Sequence, residues 1–83
     1  MSPSRHELTL PELGMGDTPI RTSLWLVEPG RRVTQGDRLI EIIAGGATID
    51  LPSPINGRLV ELLVDEDEPL VVGQKLAVIE SLE

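Results

Sequence analysis

Few side chains in this 83-residue chain have the types and spacing that chemistry requires. His6 is the single histidine, and the chain has no cysteine, so the usual partners of a metal site or a catalytic histidine are missing. Ser53 lies between two prolines without a histidine–aspartate pair, which excludes a nucleophile of the triad type. Lys75 is the one lysine, and we expect it to be a solvated residue at a strand edge. The sequence therefore predicts no catalytic site and no metal.

An acidic run is the densest cluster of charge, and it consists of Asp65, Glu66, Asp67 and Glu68. A calcium loop of the EF-hand type would spread its ligands over about twelve residues around a central glycine, which is absent here. We expect a solvated loop between strands, with an electrostatic docking patch as the alternative. The net charge of −7 argues against nucleic acid as a partner and suits a basic protein.

Residues 42–51 predict a β-hairpin. Two short runs rich in β-branched side chains flank the pair Gly45 and Gly46, and a glycine accepts the positive φ that primed turns require. The turn is therefore expected to be of type I′ or II′. The rest of the chain must position this hairpin.

The remaining sequence favours an all-β fold, because no segment holds a 3.6-residue apolar period over three turns. Residues 1–6 are expected to be a flexible leader, and residues 7–83 to form one domain. Strands are predicted over residues 7–11, 20–28, 39–43, 47–51, 58–64 and 75–80. No apolar run approaches the ~20 residues that span a bilayer, and no signal peptide is evident, so we expect a cytoplasmic protein without membrane insertion.

An internal repeat with an offset of 37 residues relates two halves, at about residues 20–43 and 57–80. The aligned pairs include Arg21 with Arg58, Leu26 with Leu63, Val27 with Val64, Gly36 with Gly73, Leu39 with Leu76, and Ile42 with Ile79. Neither half could bury its apolar face alone. The repeat therefore predicts a sandwich or flattened barrel of two equivalent halves.

Six motifs carry a resemblance to a known family: LPELG at residues 10–14, WLVEPG at 25–30, VTQGDRL at 33–39, PSP at 52–54, NG at 56–57 and VGQKLAVIE at 72–80. Their order and spacing resemble biotinyl/lipoyl domains, above all the lipoyl domain of the dihydrolipoyl acyltransferase (E2) of 2-oxo acid dehydrogenase complexes. The resemblance covers residues 8–80. It implies two four-stranded sheets with quasi-two-fold symmetry and a hairpin whose tip lysine carries lipoate.

In this sequence the resemblance puts Gly46 at the lysine position, flanked by Ile43, Ala44, Gly45 and Ala47. Amide attachment needs a side-chain amine, so we expect neither lipoate nor biotin as a cofactor. The acidic neighbours of the family's lysine are also replaced, by Ile43 and Gly45. Met15 stands where the family has a glutamate in a loop beside the hairpin, and it could form an apolar docking surface or pack inward.

Three functions remain open from the sequence. The first is a non-catalytic interaction or structural module, docking on a 2-oxo acid dehydrogenase complex or a related assembly. The second is a carrier domain of an E2 acyltransferase whose attachment site was lost or mutated, with any acyltransferase activity located elsewhere. The third is a cofactor-free module of a transport adaptor.

Overall fold

Eight strands and no helix make up the computed structural model, which describes residues 4–81. The strands are β1 (Arg5–Thr9), β2 (Ile20–Trp25), β3 (Arg32–Val33), β4 (Arg38–Ala44), β5 (Ala47–Pro52), β6 (Gly57–Leu62), β7 (Pro69–Leu70) and β8 (Lys75–Ser81). The predicted all-β class is confirmed. No helix that could span a bilayer occurs in the part of the chain that the structure describes.

Two antiparallel four-stranded sheets face each other, with strand orders β1-β8-β6-β3 and β5-β4-β2-β7. The repeat offset relates β2 to β6, β3 to β7 and β4 to β8, so three strands of each sheet recur in the same order in the other, and β1 and β5 occupy the remaining edge positions. The predicted sandwich of two equivalent four-stranded sheets is confirmed. The hairpin of β4 and β5 occupies one edge of its sheet.

Alternating apolar residues of the longer strands fill the space between the sheets. Leu39, Ile40 and Ile42 of β4 are fully buried, and so are their counterparts Leu76, Ala77 and Ile79 of β8. From Ile40 and from Ala77 onward the burial alternates, because side chains on a strand point to opposite faces in turn, whereas Leu39 and Leu76 are buried directly before them. β4 is anchored by its buried side chains and by pairing with both β5 and β2. The hairpin is therefore fixed to the core through β4.

Several strand bounds differ from the prediction. β1 begins at Arg5, inside the predicted leader, because Arg5 and His6 pair with β8 and Arg5 adds an ion pair with Glu80; residues 1–3 lie outside the described residues. β2 ends at Trp25, before the predicted 28, and a register shift between Thr22 and Leu24 interrupts its pairing. The two-residue strands β3 and β7 were not predicted, because such short segments are defined by pairing alone.

Candidate functional site

The tip of the β4–β5 hairpin is a two-residue turn. Ala44 pairs with Ala47, which leaves Gly45 and Gly46 as the loop. Gly45 has φ +62°, whereas the φ of Gly46 lies outside the left-handed region. A positive φ at the first loop position alone is the pattern of a type II′ turn, one of the two predicted types. The turn therefore needs a glycine at position 45 and not at position 46.

The loop before β2 supports this tip. The Gly45 amide donates a hydrogen bond to the Pro19 carbonyl oxygen over 3.4 Å. A β-carbon on Gly45 would lie 3.2 Å from Cγ2 of Thr18 and 3.9 Å from Cε of Met15. Met15 is half-buried, and its carbonyl oxygen accepts the Thr18 amide over 3.1 Å. Met15 thus lies beside the tip as the sequence predicted, with its methyl group directed at Gly45 and part of its side chain exposed.

An apolar recess lies beside the tip of the hairpin. Its lining consists of Pro19, Ile20, Arg21, Ile43, Gly45 and Pro69. Arg21 is the only charged residue of this set, and its guanidinium donates to the Asp67 carboxylate over 2.8 Å. Because that ion pair neutralises the one charge, the recess presents mainly aliphatic surface next to the turn. Ile43, which the sequence placed in the predicted hairpin, contributes to this aliphatic surface.

The acidic loop is held together by its own carboxylates. Asp67 binds Arg21, Glu66 accepts the Trp25 amide over 3.3 Å, and Glu68 accepts both the Asp65 amide over 3.1 Å and the Gln74 side-chain amide over 3.3 Å. Asp67 also adopts φ +65°, a conformation that aspartate tolerates better than most residues. Three of the four carboxylates therefore build the loop. The carboxylate of Asp65 makes no hydrogen bond or ion pair with residues 4–81. Of the four carboxylates in this loop, that of Asp65 alone is therefore without a partner among those residues.

The other candidates from the sequence lie apart from the hairpin. Lys75 begins β8 in the opposite sheet, and its Nζ lies 3.0 Å from a carboxylate oxygen of Glu7. Ser53 is buried, and its hydroxyl donates to the Ile55 carbonyl oxygen over 2.7 Å, which is a structural role. His6 is exposed on β1. Within residues 4–81, no three histidine, cysteine or acidic side chains are grouped as a metal site requires.

Sequence reasoning missed two features of this surface. Pro69 reaches the recess only because β7 pairs with β2, a contact between segments far apart in the chain. A second groove lies between residues 25–29 and 62–66, which are equivalent segments of the repeat. The repeat contained the signal for that second groove, since Trp25 aligns with Leu62 and Glu28 with Asp65.

A sandwich of two equivalent four-stranded sheets, with a two-residue hairpin at one edge, defines a domain of the lipoyl or biotinyl class. Comparison with known proteins gives the same result: the chain belongs to the biotinyl/lipoyl family described as "Biotin-requiring enzyme", which matches residues 6–79. The resemblance deduced from the six motifs is confirmed.

Individual relatives refine this assignment. The lipoamide acyltransferase component of the branched-chain alpha-keto acid dehydrogenase complex of Bacillus subtilis is 33% identical over 76 residues, covering 92% of this chain and 18% of that protein. The chain thus spans less than a fifth of that relative. A single-chain, multi-domain long-chain acyl-CoA carboxylase matches the fold with TM-score 0.78 at 18% identity, over 100% of this chain and 8% of the other. The lipoyl domain of the 2-oxoglutarate dehydrogenase complex from Azotobacter vinelandii matches with TM-score 0.66 at 16% identity, over 95% of each chain.

Proposed function

We propose that this chain is a lipoyl-type domain that acts through non-covalent protein contacts and carries no lipoyl or biotinyl group. Gly46 at the hairpin tip is the observation that supports this function. Counted back from Pro52-Ser53-Pro54, Gly46 is in our proposal the counterpart of the acceptor lysine of related domains. Attachment through an amide bond requires a side-chain amine, and glycine has none. The two-residue turn is present, so the hairpin keeps its backbone structure without an amine at position 46.

Lys75 is a poor substitute for the missing acceptor. It is the first residue of β8, and its amine is engaged with Glu7 at 3.0 Å. A modifying enzyme that recognises a lysine presented on a turn would find at this position a strand backbone that pairs with Thr9 of β1. The family's attachment chemistry therefore has no equivalent site on β8.

The recess beside the tip of the hairpin is the contact surface that we propose. Ile43 and Ile20 are half-buried there, Met15 is half-buried beside the turn, and the one charged side chain is neutralised. Partly exposed apolar side chains around a rigid turn favour a protein partner. Relatives that belong to E2 components of 2-oxo acid dehydrogenase complexes suggest that the partner is a component of such an assembly.

Intact mass after co-expression tests the function. The chain is produced together with a lipoate ligase in one culture and a biotin ligase in another, each supplied with its cofactor. We expect the mass of the unmodified chain in both cultures. A lipoyl domain with its natural lysine, expressed in parallel, provides the positive control. A stoichiometric adduct on the wild-type chain, mapped to Lys75 by peptide analysis, would contradict the proposal.

A further inference from the structure

A second groove, separate from the hairpin, lies between the two halves of the repeat. Residues 25–29 form one wall and residues 62–66 contribute the other. The space is open and amounts to about 470 Å³. Trp25 spans it: its indole Nε1 donates to the Val64 carbonyl oxygen over 2.9 Å. The groove is therefore tied together across the repeat rather than formed by one loose loop.

The groove combines an apolar floor with an acidic rim. Trp25, Val27, Leu62 and Val64 are buried or half-buried, whereas Leu26 is 41% exposed. The rim carries Glu28, Asp65 and Glu66, all exposed. Among the described residues, none that lines the groove is basic, and neither Glu28 nor Asp65 makes an ion pair. The three carboxylates thus present negative charge around an apolar surface.

This charge pattern determines which occupant fits. A second copy of the chain would bring its own acidic rim against this one, and the whole chain already carries a net charge of −7. Like charges brought together at an interface oppose association, as would an anionic membrane or nucleic acid against the same rim. A cationic partner is attracted by each carboxylate of the rim. An apolar side chain of that partner, inserted between the carboxylates, would be stabilised by burial against the apolar floor of the groove.

We infer that this groove, lined by Trp25, Leu26 and Val64 and rimmed by Glu28, Asp65 and Glu66, binds a short peptide segment of a protein partner, in which basic side chains flank an aliphatic one. The site is distinct from the hairpin recess, because the two grooves have no lining residue in common. The inference does not depend on whether the hairpin tip carries a cofactor.

Tryptophan fluorescence reports on this site selectively, because Trp25 is the only aromatic residue of the chain. The probe is a short capped peptide of alternating lysine and leucine. We expect a saturable change in emission that weakens strongly from about 0.1 M to about 1 M salt, as the Debye length falls from about 10 Å to about 3 Å. A peptide with glutamate in place of lysine and one with serine in place of leucine should both bind at least several-fold more weakly.

Matched variants locate the binding. Glu28→Gln with Asp65→Asn removes two rim charges and should weaken the lysine–leucine peptide about five-fold, as expected for two exposed ion pairs. Asp17→Asn with Glu61→Gln removes two exposed charges outside the groove and should leave the affinity within two-fold. Leu26→Ser tests the apolar contribution. Circular dichroism verifies that each variant is folded.

Three outcomes would overturn the inference: no saturable response to the lysine–leucine peptide, equal affinities in the two double variants, or equal binding of the glutamate–leucine peptide. Dimerisation of the wild-type chain through the groove, seen as loss of peptide binding with rising protein concentration, would also overturn it. Attachment of a cofactor elsewhere would contradict the proposed function and leave this test unaffected.

Discussion

Cγ2 of Thr18 lies 3.2 Å from the position that a β-carbon on Gly45 would occupy, whereas no described heavy atom lies within 4 Å of the same position on Gly46. The two glycines of the tip are therefore not equivalent. Gly45 has positive φ and a close neighbour, and Gly46 has neither. A side chain can enter this turn at position 46, the proposed counterpart of the acceptor lysine, and it meets resistance at position 45.

Gly46→Lys alone should give a folded domain with wild-type stability, because the new side chain points into open space. If the rest of the hairpin still suits the attachment enzyme, co-expression with a lipoate ligase will add one lipoyl group at position 46, detected by intact mass. Adding Gly45→Asp should lower the free energy of unfolding by about 1 kcal/mol because of the positive φ. Thermal denaturation of both variants gives the comparison.

Ala47→Lys is the control for this experiment, since it places an exposed lysine one residue past the tip. We expect no modification there. An unmodified but folded Gly46→Lys domain would show that a lysine at the tip is not sufficient for attachment on this hairpin. A Gly46→Lys domain that unfolds would contradict the geometry of the turn.

The prediction of the fold from sequence succeeded where the pattern was repeated. Leu39 and Ile42 recur as Leu76 and Ile79, and this repetition indicated two equivalent sheets before any pairing was known. The turn at Gly45 was likewise predicted from local composition, because its conformation depends on adjacent residues. The turn depends on adjacent residues, and the equivalence of the sheets depends on a constant offset between two halves. Both kinds of pattern can be recognised in a single sequence.

The site was less predictable because its contacts join distant residues. Arg21 and Asp67 are 46 positions apart, and their ion pair turns an acid expected to be free into a structural one. The groove around Trp25 depends on Val64, 39 positions away. β3 and β7 consist of two residues each, too few for any period. No pattern along the chain specifies these contacts until the sheets have formed.

Gly57→Ala should destabilise the domain by about 2 to 4 kcal/mol, because its β-carbon would overlap the Glu80 carbonyl oxygen and press on Ile79. β6 and β8 pair at this point, so neither backbone can retreat without losing ladder hydrogen bonds. Gly46→Ala is the matched control: without positive φ or a neighbour, it should leave stability unchanged or raise it by up to about 1 kcal/mol. Urea denaturation measures both. Equal urea midpoints for Gly57→Ala and Gly46→Ala would contradict the close contact between Gly57 and the Glu80 carbonyl oxygen.

Thr22→Val should stabilise the protein by about 1 kcal/mol, because the Thr22 hydroxyl is fully buried and has no hydrogen-bond partner among residues 4–81. Leu59 fills the equivalent position of the second half and is also fully buried, so an apolar side chain suits this part of the core. Ser53→Ala is the contrasting variant. Its hydroxyl donates to the Ile55 carbonyl oxygen, and its removal should destabilise by about 1 to 2 kcal/mol. Chemical denaturation should give opposite signs, and a loss of stability in Thr22→Val would show that the hydroxyl has a partner in solution.

Trp25→Phe tests whether the indole hydrogen bond holds the two halves of the repeat together. Phenylalanine keeps an aromatic ring in the groove but has no N–H, so the Val64 carbonyl oxygen loses its donor at a residue that is 4% exposed. An acceptor left unpaired in such a place costs about 1 to 3 kcal/mol. For a domain of this size, each kcal/mol corresponds to roughly 4 to 8 °C in Tm.

Leu24→Ala is the control for Trp25→Phe, because Leu24 lies on the same strand and is 39% exposed. We expect it to change stability by less than about 0.5 kcal/mol. Circular dichroism follows unfolding in both variants, since Trp25→Phe removes the only fluorophore. If Trp25→Phe and the wild type have the same Tm, the halves are joined by the apolar core alone, and the indole hydrogen bond contributes nothing to stability. If it melts lower while Leu24→Ala does not, the loss is specific to Trp25 and its hydrogen bond across the repeat.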